Sequence, residues 1–173
     1  MRTWITADTH FGHQGICNFL RDDGSKVRPW AWAQDMDKEL IARWNAAVGK
    51  EDKVYHLGDV AFSNRHLQIM WHLNGRKVLI RGNHDRLKLS QYAQHFKDVR
   101  GVHVLDKYIL SHIPVHPGSK SSFKGNIHGH THVNDVLDAH GKPDPWYFNA
   151  CVEQTDYRPV LFDEIRKRLG GGE

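Results

Sequence analysis

Asp8 and His10 lie two positions apart, and so do His130 and His132. Side chains at i and i+2 on an extended chain point the same way, so each pair can close on one metal ion as a pincer. Between the pairs stand Gly58-Asp59, the tetrad Gly82-Asn83-His84-Asp85, and Ser111-His112. Asp8, His10, Asp59, Asn83, His112, His130 and His132 offer imidazole nitrogen and carboxylate or amide oxygen, a donor mix accepted by Mn²⁺, Fe²⁺ and Zn²⁺. They are too many for one such ion. They suit two ions sharing a bridging carboxylate at roughly 3.5–4 Å, the arrangement used to hydrolyse phosphate esters. Taken singly, each motif also reads as an ordinary polar turn; it is their conjunction that carries weight.

Apolar runs of strand length precede these residues. Residues 4–7, 53–57 and 77–81 read as short strands, and Val78, Leu79 and Ile80 suit a strand buried on both faces. Gly82 then breaks the strand and lets the backbone turn. Met36, Leu40, Ile41, Trp44 and Val48 share one helical face that ends at Gly49, a stripe expected to enter the core. Ser63-Asn64 caps a second helix carrying Leu67, Met70, Trp71 and Leu73, closed by Gly75. Strand, helix and strand in succession make a βαβ unit, whose ligands gather at the carboxyl ends of the strands. A weaker helix is expected over 90–97 and strands over 102–105 and 107–111, with a turn at Asp106. A turn-rich, basic, mobile loop follows at 116–125. Strands at 146–152 and 159–162 and a short helix complete the chain, residues 20–33 being an irregular excursion.

At 173 residues the chain is expected to form one domain over 1–169, with a frayed tail at 170–173. A formal charge of +4 is too mild to announce a nucleic-acid partner. No apolar run approaches a membrane span, and no signal-peptide core follows Met1, so a cytoplasmic protein with no membrane partner is expected. Cys17 and Cys151 lack a CxxC neighbour and read as reduced and buried. Fourteen histidines form no run and sit in defined places.

The ordered set Asp8-x-His10, Gly58-Asp59, Gly82-Asn83-His84-Asp85, Ser111-His112 and Gly129-His130-Thr131-His132 resembles the calcineurin-like metallophosphoesterases. It is most similar to their small stand-alone bacterial and phage members, which share the Phe11-Gly12-His13 extension and a segment like Arg28-Pro29-Trp30. The resemblance spans nearly the whole chain, including Tyr157-Arg158-Pro159. It implies an α/β fold, a four-layer α/β/β/α sandwich of two mixed β-sheets flanked by helices; the strand–helix alternation by itself implies only α/β. It further implies that Asp8, His10 and His132 hold one ion, that Asn83, His112 and His130 hold the other, and that Asp59 bridges them. The ions are expected to be Mn²⁺, with Fe, Zn, Ni or Mg as alternatives. A hydroxide shared by the two ions would attack the phosphate ester in line. His84, outside the ligand set, would protonate the leaving oxygen or steady the charged phosphoryl oxygens. Asp85 either orients His84 and raises its pKa or is a plain turn carboxylate.

The expected substrate is a small phosphate ester, a monoester or a diester, with a nucleotide the leading case. A nuclease is the alternative, for which only Trp30, Trp32 and the Lys120–Lys124 loop offer stacking or basic surface. A non-catalytic scaffold would show gaps among the motifs, and there are none. His13 is expected to make a supporting hydrogen bond, and His56 and His128 to be buried beside the motifs. His66, His72, His95, His103 and His140 have no partner pattern. His116, Lys120 and Lys124 form either a phosphate-facing rim or a solvated loop, and either Arg81 or Arg86 could reach a phosphate.

Overall fold

The computed structural model describes residues 1–170, so the tail expected at 170–173 lies, beyond Gly170, outside the described residues. The strands are β1 (Thr3–Thr6), β2 (Lys53–His56), β3 (Arg76–Ile80), β4 (Asp98–Arg100), β5 (Val102–Leu105), β6 (Tyr108–Ser111), β7 (Gly125–His128), β8 (Tyr147–Asn149) and β9 (Val160–Leu161). They form two mixed sheets, ordered β4-β3-β2-β1-β9 and β5-β6-β7-β8. In the first, β1 to β4 are parallel and β9 runs antiparallel to β1. In the second, β5 is antiparallel to β6, while β6, β7 and β8 are parallel. The fold is therefore α/β, a sandwich of two mixed sheets with helices.

Alternation along the strands explains the layering. Trp4, Val54 and Leu79 point to one face of the first sheet and join a core with Met36, Leu40 and Trp44 of α1 (Ala33–Ala47). Ile5, Tyr55, Val78 and Ile80 point to the other face, where they meet Tyr108, Leu110, Ile127 and Phe148 of the second sheet. Successive strand residues face opposite ways, so a β-branched and aromatic run buried on both faces supplies both cores. The 33, 36/37, 40, 44 spacing of buried α1 residues is the expected helical stripe.

Several elements are shorter than periodicity implies. The helix after Ser63 is one α-turn, α2 (Asn64–Leu67), capped by Ser63 Oγ accepting from the His66 N–H, and it tightens into a 3₁₀ turn over Gln68–His72. That change of pitch leaves Trp71 63% exposed, off the buried face it was expected to share with Met70 and Leu73. The helix expected over 90–97 is a single turn, α3 (Leu89–Tyr92), and the chain then enters β4, an edge strand with no alternating signal. The strand at 146–152 stops at Asn149, and that at 159–162 gives way at Phe162 to α4 (Phe162–Arg168), whose Phe162 and Ile165 close the inter-sheet core. The 116–125 loop contains a 3₁₀ turn, Pro117–Ser121, and Lys120 is ion-paired to Asp144 instead of lining a phosphate rim. This segment lies against the second sheet, where the Tyr147 hydroxyl donates to Val115 O and the Trp146 indole donates to Phe123 O.

Cys17 and Cys151 are both free and buried. No described helix is long and apolar enough to cross a membrane.

His56, at the end of β2, is buried, and its ring stacks on Trp44. Its Nδ1 accepts from the Gly58 N–H at 3.2 Å, so Nε2 carries the proton and donates to Thr9 Oγ1 at 3.0 Å. Burial, only partly opposed by Asp8, drops its pKa from 6.5 to about 3. The unfolded chain therefore binds a proton through this window that the folded chain refuses, and stability must fall as pH drops below about 6.5. In metal-free protein, the melting temperature is expected to decline between pH 7 and pH 5 and the decline to flatten in His56→Gln. An unchanged slope in the variant would assign the acid sensitivity to other groups.

Candidate metal centre

The carboxyl ends of β1, β2, β3, β6 and β7 meet along one edge of the sandwich. Short backbone links hold the loops there together: Asp8 N–H to Gly58 O (3.0 Å), His10 N–H to Asp59 O (3.0 Å), Gly129 N–H to His112 O (2.9 Å), and Val152 N–H to Ala7 O (3.2 Å). Parallel strands end together at one edge, so side chains far apart in sequence become neighbours.

Asp8, His10, Asp59 and His112 are 0–3% exposed. Asp8, His10 and His132 form one potential ion-holding group and Asp8, Asp59 and His112 another, with the ligand atoms in each within 4.8 Å of one another. Asp8 Oδ1 is 3.6 Å from His10 Nε2 and 3.9 Å from His132 Nε2. Asp8 is common to both groups, and Asp59 Oδ2, of the second, is 3.7 Å from His10 Nε2 and 3.5 Å from His112 Nε2. Asn83 Oδ1 is 2.8 Å from His112 Nε2. His130 is more peripheral: it is exposed and outside both groups, its ring centroid 5.1 Å from that of His112, and its N–H donates to Asp8 Oδ2.

The donor set fits divalent cations. His112 Nδ1 donates to Leu57 O at 2.8 Å, so Nε2 presents a lone pair, and it does so toward Asn83 Oδ1, another acceptor. Asp8 Oδ1 and both ring nitrogens of His10 are buried with no hydrogen-bond partner among the described residues. Buried polar atoms are normally satisfied, and lone pairs that converge without a donor are answered by a cation. Burial would raise the Asp8 pKa, but the nearby His10, then His112 and His132, hold its carboxyl well below the usual range.

The backbone at these positions is constrained too. Asp8, His10, Asp59, His130 and His132 all have φ between 49° and 72°. That region is sparsely populated by residues with a side chain, and such conformations persist where the surrounding structure over-determines them. A Cβ on Gly82 would stand 2.2 Å from Asp59 Oδ1, and one on Gly129 would stand 2.3 Å from Asp8 Oδ2. Glycine is required at both places by the close approach of the two carboxylates.

His84 is half-buried, with its ring centroid 5.9 Å from His10, and its N–H donates to Asp59 Oδ1 at 2.8 Å. Asp85 departs from the orienting role considered for it. Its carboxylate accepts from the N–H groups of Gly82 (2.8 Å), Asp59 (2.9 Å) and Val60 (3.0 Å) and does not touch the His84 side chain. It clasps the loop after β2 to the loop after β3, as a turn carboxylate does. Arg81 turns back to Asp85 O and Leu87 O, whereas Arg86 lines a cavity beside His84. His13 stacks on Phe62 at 3.9 Å instead of making the expected supporting bond, and burial and the nearby His10 and Arg28 lower its pKa to about 4.

Two supporting residues have little or no signal in sequence. Glu153, on a 3₁₀ turn after β8, holds His132 Nδ1 at 3.0 Å through Oε1. Arg28 is fully buried, pairs with Glu153 Oε1 at 2.7 Å, and donates to the carbonyls of Asp8 and Thr9. Burial pushes the His132 pKa down, but Glu153 and then Asp8 outweigh it and raise the imidazole above its ordinary value. A carboxylate behind a ligating histidine fixes its tautomer and raises its basicity. Arg28 is visible only in the Arg28-Pro29-Trp30 segment, and nothing in the sequence marks Glu153. Glu153→Gln is expected to weaken binding of one of two Mn²⁺ ions about 10- to 100-fold, read by metal titration; unchanged affinity for both would detach Glu153 from the centre.

No family model matches the chain. It is 32% identical over 185 residues to the uncharacterized protein MJ1445 of Methanocaldococcus jannaschii, an alignment covering 99% of this chain and 93% of that one. It is 30% identical over 145 residues to the Gene 66 protein of Mycobacterium phage L5, covering 80% of this chain but 62% of the phage protein. Among solved structures, the protein of unknown function AQ665 from Aquifex aeolicus matches with a TM-score of 0.70 at 26% identity, over 96% of this chain and 98% of that one. By the identity and near-complete overlap of the archaeal sequence, this chain belongs to the family of Methanocaldococcus jannaschii MJ1445.

Proposed function

We propose that this protein is a metal-dependent phosphoric ester hydrolase of the calcineurin-like metallophosphoesterase type. One observation carries the reading: the buried convergence of Asp8 Oδ1, His10 Nε2, Asp59 Oδ2 and His112 Nε2, in which Asp8 Oδ1 and His10 Nε2 have no hydrogen-bond partner among the described residues, with the His84 imidazole beside it. Asp8, His10 and His132 would hold one divalent ion and Asn83, His112 and His130 the other, with Asp59 between them. Manganese is the expected metal, and iron, zinc, nickel and magnesium suit the same donors. When bound, such a pair supplies Lewis acidity toward phosphoryl oxygens and acidifies water at neutral pH.

The chain's own residues do the rest. Arg28 and Glu153 fix the His132 ring, and Leu57 O fixes the His112 tautomer. Asp85 holds the His84 loop against the Asp59 loop, so the imidazole stands at a set distance from the ligands. From there His84 delivers a proton to the leaving oxygen, a role for an imidazole that carries no ligand duty. The substrate is a small phosphate ester, with a nucleotide the leading case, and two free buried thiols support a cytoplasmic setting. The nuclease alternative finds less support: Trp30 packs on Tyr157, and Lys120 is paired with Asp144.

The purified protein is expected to bind about two divalent ions per chain and to lose ester hydrolysis on exhaustive chelation, recovering it with Mn²⁺. Activity that survives chelation would overturn the reading. His84→Ala should cut turnover about 100-fold or more while metal content stays at the wild-type value; loss of metal in that variant would make His84 a ligand.

A further inference from the structure

Two cavities flank the centre, and His10 stands between the histidines that open onto them, its ring 5.9 Å from His84 and 5.2 Å from His132. The smaller, about 240 Å³, is lined by Ala61, Phe62, His84, Arg86 and Leu87. The larger, about 680 Å³, lies beside His130 and His132 and is bordered by Phe19, Leu20 and Arg21. Clefts that enclose a whole small-molecule ligand run roughly 300–1,000 Å³. The larger cavity falls in that range and the smaller below it, so the smaller takes a fragment.

Phe62 is 47% exposed and immobilised from one side by His13, whose ring stacks on it at 3.9 Å and 17°. Its ring lies near parallel to that of His84, with centroids 5.5 Å apart. An aromatic ring held by His13 at the lip of a cavity that Arg86 and Leu87 also line is a stacking platform for a flat ring.

We infer that Phe62, with Leu87 and Arg86, is the leaving-group subsite, and that the substrate is a phosphodiester whose leaving alcohol carries a planar ring and whose retained alcohol lies in the larger cavity. This rests on the phosphoesterase reading, because it takes His84 to mark the leaving-group side. In the reaction a new P–O bond forms to the oxygen of a water molecule. The P–O bond to the leaving group breaks, and its electron pair stays on the leaving oxygen. One proton of the water is exchanged through His84 onto that oxygen, and the other stays with the phosphomonoester product or passes to solvent. A monoester would leave the larger cavity unfilled, and the binding energy available there would be lost.

The test uses Mn²⁺-loaded enzyme with bis(p-nitrophenyl) phosphate and p-nitrophenyl phosphate, which share a leaving group and differ in the retained one. Wild type is expected to prefer the diester at least tenfold in kcat/KM. Phe62→Ala should lower kcat/KM roughly ten- to a hundredfold on both esters, the usual size of one stacking contact, with metal content and melting temperature unchanged, and Phe62→Tyr should restore it. Phe19→Ala should act on the diester alone. Binding of phenol, followed by ligand-observed NMR, should be seen with wild type and lost in Phe62→Ala, a readout that needs no turnover. If Phe62→Ala changes neither kinetics nor phenol binding while wild type stays active, the subsite is wrong and the phosphoesterase reading stands. A wild-type preference for the monoester overturns the diester assignment. Hydrolysis of neither ester removes the underlying reading, and this inference with it.

Discussion

Two carboxylates, Asp8 and Asp59, are held together almost without solvent at the edge where two sheets meet. Taking a charge out of water costs several kcal/mol even after relaxation, unless it is paired or bound to a metal. Backbone N–H groups of His84 and His130 answer one oxygen of each, while the other oxygen faces only imidazoles. His112 and His132 present lone pairs there, because their Nδ1 atoms face Leu57 O and Glu153 Oε1, and lone pairs do not neutralise a carboxylate; a bound cation would. The need for positive charge at this point shapes what surrounds it.

The surroundings show the cost. The polypeptide enters the left-handed region at five of the seven expected ligands, and glycine is placed where a single methyl would strike a carboxylate oxygen. Both oxygens of the Asp85 carboxylate accept from backbone amides and keep two loops in register. Behind His132, a fully buried Arg28–Glu153 pair reaches across 125 positions of sequence. Breaking one partner of such a pair costs about 3–5 kcal/mol, so the support is stiff. Local geometry is unfavourable, and the fold beneath it, two cores stitched by parallel strands, is what stabilises it.

The same stiffness separates holding from reacting. Asp8, His10, Asp59 and His112 sit on buried loops tied by short backbone bonds, whereas Phe62 and Arg86 are exposed and His84 is half-buried beside them. On the proposed reading, a rigid floor with an accessible rim would keep the chemistry constant while the rim selects what enters.

Much of the centre was legible in the chain. Asp8, His10, Asp59, Asn83, His112, His130 and His132 could be picked out because each sits where an expected strand ends or just beyond it, and side-chain chemistry and strand period are local properties. The core faces of α1 and of the first three strands followed from the same periodicities. Tertiary structure alone decided the rest. It showed Asp85 bound to backbone instead of to His84, and His130 at the rim rather than inside a tight triad. It also tied down Lys120 and exposed Trp71 where the helix tightened to 3₁₀. Glu153 reached His132 and Phe62 came to lie over His13 by contacts between loops that no period encodes. The sequence by itself determined which atoms could bind and at which strand ends they stand. Which of them meet, and what braces them, depended on how two sheets pack face to face, because burial and contact are properties of the assembled fold and not of any segment.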